Sequence, residues 1–162
     1  MRRFVLAAMF LGIVGLATSS CTKGSDGATI FQATLTGSGE VPPRGTAAQG
    51  AVGLTVDGNT VQYSIEVHGI TAITGSHIHS GASGVNGPIR IALYPRPGVN
   101  FAPTATASVD GVLLQGTFQA SDVVGITFDQ LLADMRAGTA YANVHTTQFP
   151  GGEIRGQVRL VQ

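Results

Sequence analysis

The stretch DGNTVQYSIEVH, residues 57–68, decides the fold. Its first residues, Asp57-Gly58-Asn59, tolerate the positive φ angles that a tight hairpin turn requires. Apolar Val61, Tyr63, Ile65 and Val67 then alternate with polar Gln62, Ser64, Glu66 and His68. This period of two predicts a strand with one buried and one solvated face, so His68 should face water. With the apolar run before the turn, the stretch predicts an antiparallel hairpin.

Similar short runs, separated by Gly, Pro, Asn and Asp, recur about every ten residues from Thr29 onward, which is the spacing of a β-sandwich or barrel. The predicted strands are residues 29–36, 50–56, 60–67, 75–79, 89–93, 111–118, 139–145 and 153–160. Residues 95–103 carry three prolines and are predicted to be a loop. The predicted fold is all-β: an antiparallel, Greek-key-like β-sandwich or barrel of about eight strands.

One short helix is predicted near the C-terminal third. Thr127 and Gln130 form a capping box before an apolar stripe, and Gly138 supplies the stop. Asp129 suits the positive end of the helix dipole, and Asp134 is interpreted as part of a solvated face.

Composition limits the function classes. The chain has 162 residues, with nine basic and nine acidic side chains and 23 glycines. This length fits one domain, and the glycine content without long helical runs excludes a helical bundle. Balanced charge without a Lys/Arg cluster leaves nothing to neutralise phosphates, so a nucleic-acid partner is not expected.

The N-terminus has the pattern of an export signal. Arg2 and Arg3 precede the uncharged, mainly apolar residues 4–17 and a few small residues. The apolar run would span about 21 Å, against roughly 30 Å for a bilayer core, which disfavours a transmembrane helix. Residues 1–20 are therefore predicted to be a signal peptide, residues 21–28 a lipidated N-terminus and flexible tether, and residues 29–162 the β domain.

The single cysteine follows this signal directly, so the chain resembles a bacterial lipoprotein precursor that is cleaved before Cys21 and lipidated there. Thr18 stands where the lipoprotein signal usually has Leu, and simple cleavage leaving a free thiol is the alternative. The resemblance implies an exported protein whose N-terminal lipid anchors it to the membrane of the cell envelope. Thr22 favours the outer membrane or cell surface over the inner membrane.

Three histidines carry the main candidate site. In a strand, His77 and His79 project from one face while Ile78 projects from the other. In a second predicted strand His145 shares its face with Tyr141 and Asn143, while Val144 takes the core. If the two strands are neighbours, the imidazoles of His77, His79 and His145 converge, and such a ligand set suits copper or zinc.

Two plainer interpretations stay open beside metal binding. The histidines can hold the glycine-rich turn at residues 81–87 by bonding its backbone, in a structural polar cluster with Glu40, Asn143, Glu153 and Arg155. The same face can instead bind a protein or cell-envelope partner. A non-catalytic binding or envelope-structural role is preferred, with metal binding as the alternative. An enzyme is the least supported class, because Glu40 and Glu153 as an acid/base pair would need a cleft.

Three sequence blocks resemble the CHRD domain, first described as a repeated unit in chordin and also found singly in bacterial exported proteins. The blocks are GEVPP at 39–43, HIHSG at 77–81 with Gly84 and Gly87-Pro88, and YANVHT at 141–146 with FPGGEIRGQ at 149–157. The resemblance covers roughly residues 29–160 and implies an all-β extracytoplasmic domain. The histidine pattern is also faintly similar to the copper side of Cu,Zn superoxide dismutases, but the bridging histidine, zinc loop and disulfide cysteines are lacking, so no dismutase activity is inferred.

Overall fold

The computed structural model describes residues 28–96 and 108–162. The predicted signal peptide, Cys21 and nearly all of the predicted tether lie outside the described residues, as does most of the predicted loop at 95–103. Within the two described ranges, no helix is long and apolar enough to cross a membrane.

Nine strands and one α-helix make up the described fold. The strands are β1 (Thr29–Thr36), β2 (Gln49–Asp57), β3 (Thr60–Thr71), β4 (Ile73–Ser80), β5 (Ile89–Tyr94), β6 (Ser108–Gln119), β7 (Ala140–Thr146), β8 (Ile154–Gln157) and β9 (Arg159–Leu160), and the helix is α1 (Phe128–Ala137). Short 3-10 turns follow β1 and β6, at Gly37–Gly39 and Ala120–Asp122.

The strands form one antiparallel sheet that curls into a nearly closed barrel, in the order β5-β4-β7-β8-β1-β2-β3-β6, with β9 beside β1. The Tyr63 hydroxyl of β3 donates to the Leu93 carbonyl of β5 at 2.8 Å. β5 is the first strand in this order and β3 is next to the last. The bond therefore connects the two ends of the sheet. The predicted all-β, antiparallel barrel-like fold with one helix is therefore confirmed.

The barrel core follows the alternation read from the sequence. Val61, Tyr63, Ile65 and Val67 of β3 are all buried, and His68 is exposed as predicted. The same alternation in β1 buries Phe31, Ala33 and Leu35. Each fully buried Val, Leu, Ile or Phe side chain stabilises the fold by roughly 1.5–3 kcal/mol through removal of apolar surface from water.

The helix begins and ends as predicted, but the environment of one of its side chains differs from the prediction. Thr127 accepts from the Gln130 N–H at 3.2 Å, Gln130 accepts from the Thr127 N–H at 2.9 Å, and Gly138 is left-handed at φ 70°. The prediction of a solvated Asp134 is wrong: its carboxylate accepts from the Ser80 hydroxyl at 2.7 Å and from Thr139 at 3.2 Å. Asp134 therefore joins the helix to the end of β4.

The last predicted strand, residues 153–160, is two strands. β8 lies between β7 and β1 and pairs with both, whereas β9 pairs with β1. Between them, Val158 is fully buried and its N–H donates to the Ala140 carbonyl at 2.9 Å. At Gly156 the backbones are so close that a Cβ would overlap the Thr34 carbonyl oxygen, so only glycine fits there.

The pairing of β4 with β7 places polar side chains outside the core. Opposite residues in the ladder are His77 with Asn143, Ile78 with Ala142, and His79 with Tyr141. Ile78 and Ala142 are fully buried in the core. Because neighbouring positions alternate between faces, both histidines lie on the outer face of the sheet.

Candidate functional site: a three-histidine cluster outside the barrel core

The three histidines predicted as metal ligands lie together. One ring nitrogen of each of His77, His79 and His145 lies within 4.8 Å of the others. The closest contact is a hydrogen bond of 3.0 Å between His77 Nδ1 and His145 Nε2. The neighbour relation of β4 and β7, on which the sequence prediction depended, is thus present in the fold.

Backbone carbonyls from two turns orient two of the rings. His79 Nδ1 lies 2.9 Å from the Gly87 carbonyl, and His145 Nδ1 lies 2.9 Å from the Pro150 carbonyl. A carbonyl oxygen only accepts, so both Nδ1 atoms carry the proton and both Nε2 atoms keep a lone pair. The proton between His77 and His145 then belongs to His77 Nδ1.

One of these lone pairs has no donor. His79 is 7% exposed, and its Nε2 is buried without a hydrogen-bond partner among the described protein atoms. Leaving a buried polar atom unpaired costs roughly 1–3 kcal/mol. The unpaired atom is a nitrogen lone pair, which is the group that binds a metal ion or a proton.

Burial keeps the cluster uncharged. Desolvation, followed by the neighbouring His145 and His79, lowers the pKa of His77 to about 4. Burial also lowers the pKa of His79 and of His145, although the hydrogen bonds to Gly87 and Pro150 partly oppose it. The imidazoles are therefore neutral at physiological pH, which is the form that binds metals.

Arg155 holds the loop over this face. It is 1% exposed, and its guanidinium donates to the carbonyls of Ala82 and Val85 and to Asn86 at 2.8–3.1 Å. The guanidinium also lies 3.3 Å from the ring centre of Tyr141. His79 stacks on Tyr141 as well, with ring centres 4.6 Å apart and planes 9° apart. A buried cation thus fixes both the covering loop and the ring beside His79.

Glu40 and Asn143 add buried polar atoms beside this stack. Glu40 is 4% exposed; burial raises its pKa, and the charge of Arg155 opposes that rise. The Asn143 side chain interacts with Glu40 and with His79. These side chains are close but lack hydrogen-bond geometry at three atoms, since Glu40 Oε1, Asn143 Oδ1 and His79 Nε2 have no hydrogen-bond partner within the described residues.

Glu153 has a different role from Glu40. Its two carboxylate oxygens accept from the hydroxyls of Thr46 and Thr146, both at 2.7 Å. The carboxylate therefore joins the segment after β1 to the end of β7. This fully engaged pair of oxygens gives no support to Glu40 and Glu153 as an acid/base pair.

His68 lies apart from the cluster. Its ring nitrogens contact the Asp110 and Glu66 carboxylates, the latter at 3.0 Å. These two hydrogen bonds raise the pKa of the exposed His68 ring. Sequence reasoning assigned His68 to the solvated face and missed Asp110, because the partner strand was not identified from the pattern.

The pKa shifts of His68 and His77 have opposite directions, so the two histidines should titrate at different pH. In NMR-monitored pH titration of the metal-free protein, His68 is expected to titrate above 6.5 and His77 near pH 4. A raised pKa means that the His68 contacts stabilise the fold below pH 6.5 and lose this effect as pH rises through the folded pKa. Because the pKa of His77 is depressed, its contribution to the stability of the fold is fully present above pH 6.5 and is lost as pH falls toward 4. Equal midpoints near 6.5 would contradict the buried environment of His77.

Two features of the site were not assigned from the sequence: the Pro150 carbonyl and the stacking of Tyr141. The bond from His79 to the backbone of the turn at residues 81–87 was one of the open interpretations, and it is present at the Gly87 carbonyl. The glycine-rich turn gave a partial signal, since it was expected to accept bonds from histidine. A Cβ at Gly87 would overlap the Ser80 carbonyl oxygen, which explains why this turn carries glycine so close to β4.

The fold is an all-β, antiparallel barrel with a loop-covered polar face outside its core. The chain belongs to the CHRD domain family, whose family model matches residues 31–158. The resemblance noted from the three sequence blocks is thereby confirmed. Comparison with curated proteins and with solved structures found no match.

Proposed function

We propose that this CHRD domain binds one copper or zinc ion through His77, His79 and His145, as an exported binding protein of the cell envelope. The observation that carries the proposal is the convergence of three neutral imidazoles around an unpaired, buried His79 Nε2. Neutral imidazole is a preferred ligand of both metals.

The distances suit a site that closes around an ion. Metal–nitrogen bonds of about 2.0–2.1 Å place the nitrogens of a tetrahedral site about 3.3–3.4 Å apart. The three ring nitrogens lie within 4.8 Å of one another, and His77 Nδ1 lies 3.0 Å from His145 Nε2. The widest pair therefore needs to close by about 1.4 Å, which small side-chain rotations supply.

The hydrogen bonds of the His79 and His145 rings to backbone carbonyls also support metal binding. Metal-binding histidines commonly donate their other N–H to a backbone carbonyl, which fixes the ring. His79 and His145 have this arrangement, so each offers Nε2 to a metal. His77 offers Nδ1 once its proton moves to Nε2. Bound copper would supply one-electron chemistry, and bound zinc a Lewis acid.

The cellular setting of this proposal comes from the N-terminus. An export signal at residues 1–20 and lipidation of Cys21 would place the domain on a tether at the envelope, with the outer membrane or cell surface preferred. A purely structural cluster is the second candidate, because the bonds from His79 and His145 also hold two turns.

Calorimetric titration of purified, metal-stripped protein with zinc or copper separates the two candidates. We expect one ion per chain and at least about a 100-fold loss of affinity in His79→Ala, since removing even outer-shell partners costs 10–100-fold. His68→Ala is the matched control, because this exposed histidine is outside the cluster, and it should bind like the wild type. Equal affinity in wild type and His79→Ala would reject the proposed ligand set.

A further inference from the structure

We propose that this metal centre keeps one coordination position open for a small exogenous anion. The inference rests on the proposed function, since it concerns the same three histidines. It adds the chemical class of the ligand that the protein would bind through its metal.

The number of protein ligands is the first argument. Within the described residues, the ligand group contains His77, His79 and His145 and no fourth His, Cys, Asp or Glu. Neither nearby carboxylate belongs to it: Glu153 is engaged by two threonine hydroxyls, and Glu40 lies in the field of Arg155. Structural zinc sites use four protein ligands, whereas sites with three leave the fourth position to water or another small ligand.

Solvent access is the second argument. His79 is almost fully buried, but His77 and His145 are only half-buried. The cluster thus has a covered side under the loop held by Arg155 and a side that water reaches near His77 and His145. A small ligand can enter from that side without opening the covering loop.

Charge decides the class of ligand. Three neutral imidazoles leave the full charge of a divalent ion uncompensated, unlike sites built with thiolates or carboxylates. The guanidinium of Arg155 adds positive charge beside the cluster, because it and the His79 ring both stack on Tyr141. The Glu40 carboxylate at most cancels this one charge. In a partly buried site these charges favour an anion over a neutral fourth ligand, because attraction is stronger where the dielectric is low.

Azide titration of the copper-loaded protein tests this inference. Copper is first loaded to one ion per chain and excess is removed, so binding by the histidines is measured before any azide is added. Sodium azide is then titrated while the azide-to-copper charge-transfer absorption and the electron paramagnetic resonance spectrum are recorded. We expect a saturable change corresponding to one azide per copper, retained in His68→Ala.

The outcomes distinguish the two proposals. Tight copper binding with spectra that azide leaves unchanged would show a closed centre and overturn this inference, while the proposed function would stand. Failure to retain copper at the loading step would overturn this inference, and failure to bind zinc as well in the calorimetric titration would overturn the proposed function too. A spectral change of the same size in a His77→Ala/His79→Ala/His145→Ala variant would show that azide binds copper elsewhere, which also overturns the inference.

Discussion

Saturating copper or zinc is expected to raise the melting temperature of the metal-stripped protein by about 5–10 °C. Metal at about a hundred times its dissociation constant stabilises the folded state by roughly 2.7 kcal/mol, if the unfolded chain does not bind it. In a domain of this size that free energy corresponds to the stated shift. Metal binding also gives the buried His79 Nε2 atom, which has no hydrogen-bond partner within the described residues, a bonding partner. The measurement is thermal unfolding followed by circular dichroism, with and without metal.

Two variants make this thermal result interpretable. The triple variant His77→Ala/His79→Ala/His145→Ala should lose the metal-dependent shift, and His68→Ala should retain it. A metal-dependent shift that survives in the triple variant would place the metal elsewhere. If the wild type shows no shift and the triple variant simply melts at a lower temperature, the histidines have a structural role.

Replacing Arg155 by methionine is expected to lower the free energy of unfolding by about 3–5 kcal/mol, the range for removing one partner from a buried charged network. The guanidinium is fully buried and is the donor for two carbonyls of the loop over the site. Its loss leaves these acceptors unpaired and further raises the cost of ionising Glu40, whose pKa Arg155 lowers. Urea unfolding at pH 7 measures the effect.

Arg159→Met is the matched control for this substitution. Arg159 lies on β9, close to the site in sequence, but is exposed. Its replacement should change the free energy of unfolding by no more than about 0.5 kcal/mol. Similar small losses in both variants would mean that Arg155 does not hold the loop in solution.

Local signals allowed most of the fold to be predicted. The alternation at residues 60–67 and the turn before it depend only on neighbouring residues, and β2 and β3 pair as expected. The capping box and Gly138 likewise defined both ends of the helix. The break at Val158 was missed because it depends on how the backbone pairs with β1 and β7, which are distant in sequence, whereas the side chains alone continue the alternating pattern.

The candidate site was only partly predictable for the same reason. That His77 and His79 share a face follows from their spacing, but the position of His145 beside them depends on which strand pairs with β4. The burial of Arg155 and its stack on Tyr141 depend on a loop that closes over the outer face. No local pattern indicates that a charged side chain near the C-terminus will be the largest fully buried side chain of the described residues.

The pairing of β4 with β7 also makes the cluster a reporter of folding order. His77 and His145 are separated by 68 residues, so they meet only after a long chain closure. Long-range pairings of this kind are the slow events of β-protein folding. A metal ion that requires both strands would therefore bind late during refolding. The rate at which the spectrum of the bound metal develops would then measure the rate at which β4 pairs with β7. Formation of the hairpin between β2 and β3 would not contribute to this signal.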